Sequence, residues 1–157
     1  MYLKTTAKDA KNKVVYNKEH SHNITAGGTL AYDDLRTTTE VQRGTVVNID
    51  ETTGIARVVK TMEVIAGGTT TSPRVKKNHE FKVGDLVFRT LKSLAVTIDS
   101  IDTTNVAYDT VTFSAALTST VATDVLMQSS ASGSSAGAFK YMPNAILTDK
   151  YKLEGQP

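Results

Sequence analysis

An all-β fold, a small β-barrel or β-sandwich entered by an extended N-terminal arm, is predicted by three observations. The clearest is the stretch 81–128, which reads as strand-like runs in immediate succession: 81–88, 94–98, 111–115 and 125–127. The second is a bias toward threonine and valine, whose β-branched side chains are stiff at χ1 and suit a pleated surface. The third is the alternation of apolar and polar residues between Gly44 and Ile65, the period of a half-buried antiparallel strand.

Taken in order, residues 1–25 are lysine-rich, with only Val14-Val15-Tyr16 resembling a strand, and read as an extended arm ahead of a single β-rich domain over 26–157. Ala26-Gly27-Gly28-Thr29 is a turn, and Leu30 to Leu35 has room for at most a short helical turn. Val46-Val47-Asn48-Ile49 and a strand from Ile55 to Ile65 flank the turn Asp50 to Gly54, which makes a hairpin. Ala56, Val58, Met62 and Val64 share its apolar face. Lys60 interrupts that face, which requires either snorkelling of its stem to water or a bulge in the strand. The glycine-rich run 66–73 is a surface connection. Gly84-Asp85 makes a tight turn that leaves Val83 and Leu86 packed, Leu94, Val96 and Ile98 share a face, and Val111, Phe113 and Ala115 point inward. Residues 129–137, rich in serine and glycine, read as a flexible loop in which Gly133 to Gly137 is a linker, whereas the apolar run 139–147 packs.

At 157 residues the chain has the size of one domain, able to bury about two-thirds of the surface of its unfolded form. Eighteen basic against 16 acidic residues leave a net charge of +2, too balanced to favour a nucleic acid partner. With no tryptophan and 6% aromatic residues, a stacking platform for single strands has little support. The absence of cysteine excludes disulfides, thiolate zinc sites and cysteine nucleophiles. No run reaches the roughly 18–20 apolar residues that span a bilayer, so no membrane partner is expected, and no signal peptide is read at Met1 to Thr6.

No reactive constellation emerges. His20 and His22 sit on one side of an extended segment but lack further ligands, and His79, beside Glu80, reads as a surface residue. Asp99, Asp102, Asp109 and Asp124 would form an acidic site only if folding brought them together, and Asp102 reads better as a turn cap. Neither a Gly-x-Ser-x-Gly elbow nor a phosphate loop is present, so no catalytic residue, metal or cofactor is assigned. Basic residues cluster instead as Lys4, Lys8, Lys11, Lys13 and Lys18 on the arm, and as Arg74, Lys76 and Lys77 with Lys82, Arg89 and Lys92 further on.

The order of the phrases Phe81 to Val87, Ser93 to Asn105, Tyr108 to Thr112, Ala122 to Leu126 and Pro143 to Leu147 resembles the head fibre and capsid decoration proteins of tailed bacteriophages, of the Bacteroidetes and crAss-like type. The resemblance covers the second half of the chain. It implies a non-catalytic structural protein, made in the host bacterial cytoplasm and carried on the capsid exterior of the virion. It also implies attachment to the major capsid protein, as a homotrimer. On that reading Lys4, Lys8, Lys11, Lys13, Lys18, Arg74, Lys76 and Lys77 are the candidate capsid contacts. The alternative is a carbohydrate-binding or adhesin-like domain that meets a surface glycan through its threonine and glycine loops.

Overall fold

A computed structural model describes residues 29–36, 40–117, 120–131 and 135–152, and the proposed arm lies outside them. The chain is all-β, with no helix among the described residues. Six strands close a ring in the order β10-β5-β6-β9-β8-β7: β5 (Thr61–Gly68), β6 (Pro73–Val75), β7 (Leu86–Phe88), β8 (Val96–Asp102), β9 (Asp109–Phe113) and β10 (Val125–Gln128). Every neighbouring pair is antiparallel, so the strands alternate in direction and the ring has two distinct ends. Closure leaves the ring no free edge to aggregate.

The ring's interior follows from period-2 alternation. In β9, Asp109, Val111 and Phe113 are buried while Thr110 and Thr112 are half-buried. Met62, Val64, Val75, Phe81, Val87, Val96, Ile98 and Leu126 complete a core in which each large side chain contributes about 1.5–3 kcal/mol of burial. A bulge between Ile98 and Ser100 shifts the β8–β9 register.

A four-stranded sheet accompanies the ring, in the order β1-β4-β3-β11: β1 (Thr29–Ala31), β3 (Val46–Asp50), β4 (Ile55–Val58) and β11 (Ala145–Ile146). A ribbon of β2 (Glu40–Val41) and β12 (Tyr151–Lys152) completes the fold. The sheet has its own core of Leu30, Leu35, Val41, Val47, Ala56 and Val58, with Ala145 and Leu147 packed against it. The expected hairpin is present as β3–β4. Asp50 Oδ1 accepts the Thr52 N–H at 2.9 Å, and Gly54 takes the left-handed φ of 68° that closes the turn.

Several local expectations are corrected. Leu30 lies in β1, paired parallel to β4, rather than in a helical turn. The strand expected from Ile55 to Ile65 is two strands, because the chain leaves one sheet for the other: Val59 N–H still bonds Val46 O, while Lys60 O already accepts the Gln128 N–H of the ring. Val83 is exposed and Phe81 fills the core in its place, Gly84 turning with a φ of 90°. Of the expected inward faces, Leu94 and Ala115 are exposed. The described parts of the serine-rich run 129–137 are not a linker: Ser129 is buried, its N–H bonds Leu86 O, and Gly137 lies so close to Phe88 that an added Cβ would fall 2.5 Å from the Phe88 Cβ.

Candidate functional site

The sheet is fastened to one end of the ring by two buried ion clusters. That end holds the start of β5, the turn before β7 and the finish of β10, together with the finish of β6 and the start of β9. In the first cluster Lys60, its side chain fully buried, places Nζ 2.8 Å from Asp85 Oδ2 and 3.1 Å from Asp34 Oδ1. Asp34 comes from the connection after β1, so the lysine clasps both layers. Gln128 donates from Nε2 to Asp85 Oδ1 at 3.1 Å and to Asp34 Oδ2 at 3.3 Å, and Lys140 reaches Asp34 Oδ2 at 2.9 Å. Burial of Asp34 works to raise its pKa, but hydrogen bonds from Lys140, Lys60 and Gln128 outweigh it, and the carboxyl sits below its ordinary value.

The second cluster has the opposite polarity. Asp109, 1% exposed, accepts Lys77 Nζ on Oδ1 at 2.7 Å and Arg36 Nη1 on Oδ2 at 3.0 Å. His79 Nε2 lies 3.3 Å from both Asp109 Oδ2 and Arg36 Nη1. Desolvation, then the Arg36 charge, pushes the imidazole pKa down to about 4, which makes the ring neutral at neutral pH. Its Nδ1 is buried without a hydrogen-bond partner among the described residues. The expectation of His79 as a surface residue is therefore corrected: the ring packs against Phe81 at 6.0 Å between centroids. A cleft of about 640 Å³ opens beside this cluster, lined by Arg36, Thr45, Val58, Lys77, His79 and Asp109 among others.

The four aspartates weighed from the sequence do not converge. Asp99 is exposed on β8, and Asp102 caps its own turn by accepting the Thr104 N–H at 2.9 Å, as expected. Asp109 is consumed by its cations, and Asp124 pairs with Arg89 at the ring's other end. Among the described residues no group of three or more His, Asp or Glu side chains is placed to hold a metal. His20, His22, Lys4, Lys8, Lys11, Lys13 and Lys18 lie outside the described residues.

The second basic group is largely occupied within the chain. Lys77 is bound to Asp109 and Thr103 O, Lys76 pairs with Glu63 at 2.6 Å while remaining exposed, and the Arg74 guanidinium lies over the Tyr108 ring at 4.6 Å. Lys82 donates to Asp33 O. The far end of the ring, where the β5–β6, β7–β8 and β9–β10 connections meet, instead carries exposed Leu91, Leu94, Val121 and Val125.

Reading the sequence passed over Asp34, Arg36, Asp85 and Gln128, since each partner lies far away along the chain. The one available signal was Lys60, a charge standing in an apolar register. Comparison with protein-family models, with curated proteins and with solved structures finds no match.

Proposed function

We propose that this chain is a structural virion protein, a head fibre or capsid decoration protein that docks on the outer surface of a major capsid protein and performs no catalysis. The observation that carries the reading is the fate of the phrases on which the resemblance rests. Four of them fall on β7 to β10 and the turns that join them, within one ring, and the fifth forms β11 on the adjoining sheet.

The ionisable groups support the same reading. The buried Asp109 and the half-buried Asp85 are committed to cations of the chain itself, an arrangement that fixes layers rather than turning over a substrate. Capsid contact is assigned to the basic arm and to Lys76, whose side chain stays 60% exposed while paired with Glu63, rather than to Lys77, which is held against the buried Asp109. Homotrimer formation through the exposed Leu91, Leu94, Val121 and Val125 belongs to the same proposal.

Co-sedimentation with purified phage capsids tests it. The wild-type protein is expected to pellet with particles, and the triple variant Lys8→Glu, Lys11→Glu, Lys13→Glu to lose most of that binding. Equal occupancy by the variant removes the arm from the interface, and failure of the wild type to bind removes the decoration role.

A further inference from the structure

We propose that Lys60 and Asp85 form an internal amide cross-link, Nζ bonding to Cγ of the carboxyl group with loss of water while Asp34 relays the protons. The inference stands on the first ion cluster and does not depend on the virion assignment.

The geometry supplies each part. Nζ is held 2.8 Å from Asp85 Oδ2, against the carboxyl group it would attack, and the intervening chain fixes the two groups in place; such positioning removes most of the entropic cost of a bimolecular condensation. The second carboxylate, Asp34, touches the same Nζ at 3.1 Å. Lys140 and Gln128 hold its other oxygen, which positions Asp34 to take a proton from the ammonium and leave a neutral amine nucleophile. Negative charge developing on the Asp85 oxygens meets donors on both sides, Lys82 N–H on Oδ2 at 2.9 Å and Gln128 Nε2 on Oδ1 at 3.1 Å.

The step balances without any other reactant. The Nζ–Cγ bond forms and one Cγ–O bond breaks. Asp34 passes two protons in turn from the ammonium to the departing oxygen and ends as it began. An ammonium and a carboxylate become a neutral amide and a water molecule. Burial favours the product, since the lysine side chain has no exposure and the Asp85 side chain only 10%, and an amide costs far less than an ion pair to keep out of water. Gln128 Oε1, buried and without a partner among the described residues, offers an acceptor in the same cluster for the N–H of the new amide. The link would tie the start of β5 to the turn before β7, across the end of the ring on which the sheet is mounted.

The test is the intact mass of the purified full chain after incubation, folded, at neutral pH. The expected mass is one water below that of the sequence, with a branched peptide joining Lys60 to Asp85 after proteolysis. Lys60→Arg, which keeps the charge but cannot condense in this way, is expected to retain the full mass. Asp34→Asn, which keeps both reacting groups, is expected to do the same or to lose water far more slowly, with circular dichroism reporting that it folds. A wild-type chain that stays at full mass overturns the proposal, whatever the variants do. So does a water loss that persists in Lys60→Arg, or one that maps to a cyclised aspartate instead of a branched peptide.

Discussion

The two ion clusters grip the same pair of layers with opposite polarity, and they differ in where their reserves lie. Lys60 is a buried cation between two carboxylates that each keep another donor: Lys140 and Gln128 for Asp34, Lys82 N–H and Gln128 for Asp85. Asp109 is a buried anion held by Arg36 and Lys77, whose side chains are 34% and 28% exposed, with a neutral imidazole wedged beside them. Redundant partners make the first cluster tolerant of losing one member. The second depends on cations at its rim and contains a group that acid can charge.

The largest effect is expected where the buried anion is stripped of both cations. Arg36→Met combined with Lys77→Met leaves Asp109 with only His79, and an unpaired buried charge costs about 3–5 kcal/mol. Urea unfolding of this double variant against wild type measures the loss. A cost below about 1 kcal/mol would mean that Asp109 is protonated or wetted in the variant, and that the second cluster is as tolerant as the first.

Acid separates the clusters next. A histidine whose folded pKa lies near 4, against about 6.5 when unfolded, binds fewer protons in the native state throughout that window. Stability therefore falls as pH drops from about 6.5 to about 4, by up to about 3 kcal/mol from this group alone. Asp34 and Asp109 have depressed folded pKa values, so their contribution is complete above the unfolded carboxylate range of about 3.9 and is lost only at lower pH. For Asp109, burial pulls upward and the Lys77 and Arg36 hydrogen bonds pull harder downward. His79→Phe should flatten the stability profile between pH 6.5 and 4 while leaving the steeper acid limb in place. An unchanged slope in that window would place the acid sensitivity elsewhere.

This contrast also marks what could be read from the sequence. Strands β7 to β10 were legible because they carry their own pattern: Val111 and Phe113 alternate with threonines, and Val96 and Ile98 mark the buried face of β8. Strand β6 was not, since the run 66–73 reads as a surface connection, whereas β5 continues to Gly68 and Pro73 is buried at the start of β6. The break at Val59 and Lys60 was not, since the apolar alternation of Ala56, Val58, Met62 and Val64 runs through it while the hydrogen-bond partners change from Val46 to Gln128. The ion clusters were invisible for a related reason. Arg36 and Asp109 are 73 residues apart and Lys140 and Asp34 are 106 apart, and no local period encodes a pairing at such range. Serine and glycine in 129–137 signalled flexibility, yet Gly137 is small because Phe88 leaves no room for a Cβ.

The smallest effect is expected at the rim of the first cluster. Lys140 reaches Asp34 at 2.9 Å, but its side chain is 34% exposed and that of Asp34 is 30% exposed, so solvent and salt screen the pair. Lys60 and Gln128 remain on Asp34 when Lys140 is replaced. Lys140→Met should therefore cost about 0.5–1 kcal/mol in urea unfolding, and less as salt is raised. Its ammonium also lies over the Tyr141 ring at 5.4 Å, and the methionine stem keeps apolar contact there while giving up the charge. A loss as large as that of the Arg36 and Lys77 double variant would show that Asp34 relies on its outermost donor. The redundancy that distinguishes the two clusters would then be absent, and so would the support that keeps Asp34 ionised beside Lys60.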